Sequence, residues 1–363
     1  MKTISWVFSL LVAMLTTIEV SSANDRVGNF ALLDHKGSYH QLRKYGDSKA
    51  LVIISTAASC IENIEKLPKY RLLRTTWERQ GVSFLAINSS SKDDLNSVRR
   101  MDVLHNVDLP ILMDTSQLVA ESLGLSKAGE IIVLYPQRFQ VLYRGGLDID
   151  PRRARPDRNI TAVKGTSFLS DILTAAVAGE LNPADGTIET PAVGCDLAFP
   201  MLDKHAMSTP DYATEVAPIL EEQCVTCHIE GGIAPFAMDS HMMVQGWSPM
   251  MKEVIMTKRM PPAQVDPSIN HFTNARYMEP SELQTLVHWI DAGAPRGGGE
   301  VDPLTRINKS ETLTMPLRFQ LSQFLLLVCW TMRMSLSIFH SNRTFGLNLC
   351  SIFLVIERYC TIY

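Results

Sequence analysis

The sequence predicts an α/β unit, a mixed sheet flanked by helices, followed by a smaller all-α unit. Three observations lead there. Short β-branched apolar runs alternate with helix-period stretches through the first half of the chain. Two of the runs flank a four-residue turn, which adds an antiparallel hairpin to the sheet. Beyond a proline-rich stretch, the pattern is helical. The 363 residues suffice for two domains and a linker, and 46% hydrophobic with 20% charged residues suits globular folding. A net charge of -4 offers no basic footprint, so no nucleic-acid partner is expected.

Residues 1–23 read as an export signal. Lys2 supplies the positive start, residues 4–18 are largely apolar, and Ser21, Ser22 and Ala23 offer a small-residue cleavage site. The apolar run is shorter than the roughly 20 residues a membrane span prefers, although an uncleaved anchor is the alternative. Residues 24–180 form the first unit. Strands are expected at 51–54, 82–88, 109–113, 131–135 and 140–143, the last two joined by the turn Pro136-Gln137-Arg138-Phe139. A helix over 61–80 is expected from Ile64, Leu67, Tyr70 and Leu73, and a second over 167–179 stops at Gly179. Arg152, Arg153, Arg155 and Arg158 mark either a solvated loop or a docking patch. Residues 181–210 read as a proline-rich linker.

The second unit spans 211–299. A helix over 212–223 carries Val216, Ile219 and Leu220 on one face. Another over 281–292 has Pro280 before a Ser281 cap, a stripe of Leu283, Leu286, Val287 and Ile290, and Gly293 as its stop. In the tail, 300–363, Glu357 is the only acidic residue from Phe319 onward, and Arg333 interrupts the apolar run 324–330. The tail is either a membrane anchor or a degenerate end.

The chemistry centres on Cys224-Val225-Thr226-Cys227-His228. Two thiols three positions apart, with an imidazole after the second, match covalent attachment of one c-type haem. Cys224 and Cys227 would form the thioethers and His228 would ligate the iron. A zinc site would need a second ligand pair, and the sequence has no other Cys-X-X-Cys and no His-X-X-X-His pair. The turn Gly231-Gly232-Ile233-Ala234-Pro235 follows, and the Pro235 carbonyl is expected to accept the Nδ1 hydrogen of His228. Met260 is expected as the second axial ligand, because Pro261 and Pro262 stop the helix and stiffen its segment. His241 and His271 are its rivals.

Cys60 is the candidate nucleophile of the first unit, at a strand-to-helix turn where the helix dipole favours thiolate. An inert buried cysteine is the alternative. Asn63 stands where a Cys-X-X-Cys centre would place its second thiol. Cys195, within the linker, is a partner for Cys60 if the fold brings them together, and the remaining cysteines do not form a disulfide framework.

Two resemblances add to this reading. The first unit resembles the thioredoxin fold, in its redoxin and peroxiredoxin-like branch. The matching residues are Asn29-Phe30-Ala31-Leu32-Leu33-Asp34, Cys60, Leu109-Pro110-Ile111-Leu112-Met113-Asp114 and Tyr143-Arg144-Gly145. It implies Cys60 as catalytic thiol with Arg144 stabilising its thiolate, although an arginine on a solvated strand edge is equally consistent. The chain departs from that pattern at Ala57, where a hydroxyl residue is usual, and in Ser126-Lys127-Ala128-Gly129-Glu130, which lacks the usual proline. The second unit resembles a cytochrome c domain of multidomain bacterial redox proteins, through Cys224 to His228, Gly232-Ile233-Ala234-Pro235-Phe236, Arg259-Met260-Pro261-Pro262 and Trp289-Ile290-Asp291-Ala292-Gly293-Ala294-Pro295. Together they imply a periplasmic electron carrier serving a redox partner protein, or alternatively a haem-linked thiol peroxidase using Cys60.

Overall fold

The computed structural model describes residues 26–148, 167–262, 277–299 and 301–306. The expected export signal, the arginine-rich stretch from Arg152 to Arg158, His271 and nearly all of the tail, with Cys329, Cys350 and Cys360, lie outside the described residues.

In chain order the first lobe contains β1 (Ala31–Leu33), β2 (Tyr39–Gln41), β3 (Ala50–Thr56), α1 (Ile61–Ile64), α2 (Leu67–Trp77) and β4 (Val82–Asn88). It continues with α3 (Leu95–His105), β5 (Ile111–Met113), α4 (Leu118–Leu123), β6 (Ile131–Tyr135), β7 (Gln140–Gly145) and α5 (Phe168–Ala178). The expected helix over 61–80 is broken. Pro68 has no N–H to offer the Ile64 carbonyl, so α1 stops and α2 restarts with the proline in its first turn.

A six-stranded sheet runs β5-β4-β3-β6-β7-β8, where β8 is Ile188–Glu189. β3 is parallel to β4 and antiparallel to β6, and β6–β7 is the expected hairpin. Alternation along β3 sorts the core. Val52 and Ile54 pack with Tyr70, Trp77, Phe84 and Leu169 beneath α2 and α5. Leu51 and Ile53 pack on the opposite face with Phe30, Leu85, Val119 and Leu123. The mixed sheet covered on both faces is as expected.

The stretch expected to be a linker is built into the structure. β8 pairs in parallel with β7. Residues 195–197 then run against the segment before β6. Ala128 N donates to the Cys195 carbonyl at 2.8 Å, and Leu197 N to that of Ser126 at 2.9 Å. Gly194 permits this approach, since a Cβ there would lie 1.6 Å from the Ala128 carbonyl oxygen. α6 (Pro200–Met207) follows and packs against the second lobe.

That lobe contains α7 (Ala217–Leu220) between two π-helical turns, α8 (His241–Met256) and α9 (Pro280–Asp291). α9 begins one residue before the expected Ser281 cap. Glu279 is the N-cap and forms a capping box with Glu282, while Pro280 takes the first helical position. Trp289 is fully buried and its indole N–H donates to the Pro295 carbonyl at 2.9 Å. The two lobes touch. Met256 packs on the sheet core, and Tyr39 donates its hydroxyl hydrogen to the Thr257 carbonyl at 3.0 Å.

Candidate functional site

Cys60 caps the N-terminus of α1 and is 1% exposed, between Ala57 and Ala128. It is bonded to Cys195, 135 residues on, with the Cα atoms 5.8 Å apart. Asn63 fixes the turn. It is fully buried and donates to Thr56 Oγ1 at 2.7 Å, so the position that lacks a thiol carries a structural amide instead. The Cys195 N–H points at Cys60 Sγ, 3.2 Å away, and would favour a thiolate there once the bond is reduced. Cys195 is the more exposed of the two residues. Among the described residues, the polar atoms within reach of the exposed Glu62 carboxylate are these sulfurs, at 3.1 Å from Cys195 Sγ and 3.5 Å from Cys60 Sγ.

Arg144 lies elsewhere. In the hairpin it pairs with Ile132, so its side chain emerges on the face that packs under α4. There it donates to Glu130 Oε1 at 2.8 Å and to the Gly124 carbonyl at 3.1 Å. Glu130 is buried and also accepts from Ser126 N at 2.8 Å. Arg144 therefore braces the segment that carries the Cys195 strand, and its expected contact with the Cys60 sulfur gives way to an ion pair.

The second cluster lies on the turn after α7. Cys224 and Cys227 carry thiols and are partly exposed. The N–H groups of Cys227 and His228 both donate to the Cys224 carbonyl at 3.1 Å, which winds the motif into one helical turn. His228 is 8% exposed, and burial holds its pKa below the ordinary value, partly offset by the Phe236 carbonyl. That carbonyl, 3.1 Å from Nδ1, takes the place expected for Pro235. The difference of one residue follows from the loop's own bonds. Ala234 N donates to the Cys227 carbonyl and Met238 N to that of His228, which leaves the Phe236 carbonyl between them facing the ring. A carbonyl only accepts, so Nδ1 carries the hydrogen and Nε2 keeps its lone pair. The Phe236 ring lies 4.5 Å from the imidazole and stacks on Trp247.

Met260 is 39% exposed, follows α8, and lines a hollow of about 60 Å³ with Leu33, Met113, Ser116 and Pro261. His228 is not among the residues lining that hollow, so the structure does not bring the two expected ligands together there. His241 is engaged otherwise, with Nε2 donating to the Ala294 carbonyl at 2.9 Å and its ring edge-on to Tyr212.

Sequence reasoning missed a third cluster. His288 on α9 meets Glu121 of α4 at 2.7 Å through Nε2 and His205 of α6 at 2.7 Å through Nδ1. Glu121 accepts from His288, whose bare Nδ1 accepts in turn from His205. The chain ends at His205 Nε2, which is buried with no partner among the described residues. It adjoins a cavity of about 310 Å³ that Leu202, Lys252, Met256 and Asp291 also line. The three residues come from elements far apart in sequence, and no local pattern marked them.

Residues 23–148 match the AhpC/TSA family. The first lobe is thus an AhpC/TSA-type redoxin domain on a thioredoxin-like mixed sheet. Solved structures similar to the chain include a hypothetical protein from Sinorhizobium meliloti 1021, 23% identical over 48% of this chain and 92% of that one, TM-score 0.40. An uncharacterized conserved protein from Geobacillus kaustophilus is 22% identical over 48% and 91%, TM-score 0.40. The thioredoxin domain of a thiol-disulfide oxidoreductase from Bacteroides vulgatus is 14% identical over 45% and 100%, TM-score 0.32. No curated protein matches the sequence.

Proposed function

We propose that the chain is an exported, periplasmic redox protein. Its redoxin domain cycles between dithiol and disulfide at Cys60 and Cys195, and its second lobe is a c-type cytochrome domain carrying one covalent haem. The observation that carries the haem reading is the His228 imidazole. Its Nδ1 hydrogen is fixed on the Phe236 carbonyl, which leaves Nε2 as a bare donor within one helical turn of two thiols. The residues fit the group: two thiols for the vinyl carbons, an oriented neutral imidazole for iron, and the Phe236–Trp247 stack beside that imidazole to help exclude water. Haem bound there would supply one-electron transfer. Met260 is proposed as the second axial ligand for its thioether and its proline-stiffened segment. Since His228 is not among the residues lining the hollow that holds Met260, its replacement is the discriminating test.

At the disulfide, the deeper burial of Cys60 supports a division of roles. An external thiolate reaches the partly exposed Cys195 sulfur, forms a mixed disulfide with it, and displaces Cys60 as a thiolate. A second thiol then releases Cys195. Two external thiols become one disulfide, and the Cys60–Cys195 bond becomes two thiols.

The second reading is a haem-linked thiol peroxidase, favoured by the bonding distance between the two cysteines. Cys60 would attack a peroxide, releasing an alcohol or water and leaving a sulfenic acid. Cys195 would condense with it, releasing water. The Cys60→Ser variant separates the readings, because unchanged peroxide consumption removes the peroxidase.

Haem binding is tested by a pyridine haemochrome spectrum after co-expression with haem-attachment machinery. A c-type spectrum that Cys224→Ser and Cys227→Ser abolish supports it, and its absence from the parent overturns it. Met260→Ala should remove the methionine-to-iron charge-transfer band, whose persistence would assign another methionine.

A further inference from the structure

We propose that the reduced Cys60–Cys195 pair, together with Glu62, forms a binding site for a zinc-class divalent cation that is open only in the dithiol state. The inference rests on reading the pair as reversibly reducible, and is independent of the haem.

The disulfide does not explain one contact made by Glu62. Sulfurs joined to each other carry no hydrogen, and a carboxylate only accepts. Yet Glu62 Oε2 lies 3.1 Å from one sulfur and 3.5 Å from the other. Glu62 is exposed, and no cation or other donor holds it among the described residues. In the oxidised protein its position satisfies no bond to a described residue. After reduction the same three side chains present two sulfur donors and one oxygen donor. One ligand atom from each lies within 4.8 Å of the others.

The ligand chemistry favours one class of ion. Two thiolates and one carboxylate suit zinc, whereas magnesium and calcium favour all-oxygen shells. Two thiolates on one tetrahedral zinc, each at about 2.3 Å, stand roughly 3.7 Å apart. Cα atoms 5.8 Å apart accommodate that spacing by side-chain rotation. The Cys195 N–H directed at Cys60 Sγ helps to hold that ligand deprotonated. Glu62 reaches in from solvent, so water would complete a four-coordinate shell. Binding displaces two protons, one from each thiol. The disulfide and the metal exclude each other, because each uses the electron pairs of the same two sulfurs.

The test uses the full chain with Cys224→Ser and Cys227→Ser, so that the haem motif contributes no thiolate. Cobalt(II) and zinc are the probes. The reduced protein should take up one cobalt per chain with thiolate-to-cobalt charge-transfer absorption, and zinc should displace it. The oxidised protein should show neither signal. Cys195→Ser should abolish the charge-transfer intensity expected for two thiolates. Glu62→Gln, a surface change, should weaken zinc binding by at least about tenfold, the loss that even an outer-shell partner causes. Equal binding in both oxidation states, or Glu62→Gln titrating like the parent, overturns the proposal. Thiol counting on the same samples separates the two readings. A pair that opens and binds no metal refutes the site alone, and a pair that never opens refutes both.

Discussion

Replacing Gly194 with alanine tests how Cys195 reaches Cys60. The new Cβ would lie 1.6 Å from the Ala128 carbonyl oxygen and 2.8 Å from its carbon. Ordinary contact needs about 3.5 Å, so the 193–197 segment must retreat by about 2 Å. The atoms in the way are backbone, held at the head of β6 by the Arg144–Glu130 pair, and they cannot swing aside as a side chain would. Retreat breaks the bonds from Ala128 N to Cys195 and from Leu197 N to Ser126. It also carries the Cys195 sulfur away from Cys60. Closing a loop across a separation of 135 residues is worth at most about 5 kcal/mol in the chain-entropy view. The melting temperature of Gly194→Ala should therefore fall by on the order of 10 °C. Thiols counted under denaturing, non-reducing conditions should rise by two per chain. The Cys60→Ser/Cys195→Ser protein supplies the baseline, and adding Gly194→Ala to it should cost much less than in the parent. A Gly194→Ala protein that forms the disulfide fully and melts like the parent would refute the reasoning.

Further outcomes follow from the other contacts. Arg144→Ala leaves buried Glu130 without its cation and should destabilise the fold by on the order of 3 kcal/mol in urea unfolding. The alkylation rate of reduced Cys60 should not change; a slower rate would return Arg144 to the role of thiolate stabiliser. His205 has its pKa lowered by burial, with His288 and Lys204 adding to the effect and Glu215 opposing it. The unfolded chain therefore binds the proton more readily, and this part of the stability is present above pH 6.5 and is lost as the pH falls below it. His205→Gln should flatten the melting-temperature profile in that range, and an unaltered slope would show that other groups set it. Asn63→Ala removes a buried amide from Thr56 and should cost on the order of 2 kcal/mol, read by the same unfolding assay.

Local pattern carried most of the sheet. The β-branched run from Leu51 to Ile54 and the turn after Tyr135 placed β3 and the hairpin, because strand burial imposes its own period. The thiols and the imidazole of residues 224–228 are gathered by one helical turn, so their proximity was legible from five consecutive residues. Local rules failed where two signals competed. Ser281 looks like a cap, but Pro280 is better placed one position earlier, and Glu279 takes the cap with Glu282 as its box partner. What depended on distance in sequence was hidden. Cys195 reaches Cys60 only when its segment runs against the residues before β6. Glu121, His288 and His205 meet only when α4, α9 and α6 converge. The place of Arg144 could have been read from the hairpin, since pairing with Ile132 sets its face.

The stretch from 181 to 210 bears on how this chain can be divided. Its sequence invites a cut, yet it supplies the outermost strand of one lobe, the sulfur partner of Cys60 and a helix seated on α9. A fragment ending at residue 180 would leave β7 as a bare edge, a ready template for association with other chains, and Cys60 as an unprotected thiol. A fragment beginning at 211 would lose the imidazole that faces His288. Exchange of the front half between such proteins, whether by recombination or in the laboratory, must carry the chain through Leu197 and Ala198, which bond to Ser126 and Gln117, and leave α6 with α9. The unit that can be inherited or expressed alone is therefore longer than the one that composition marks out.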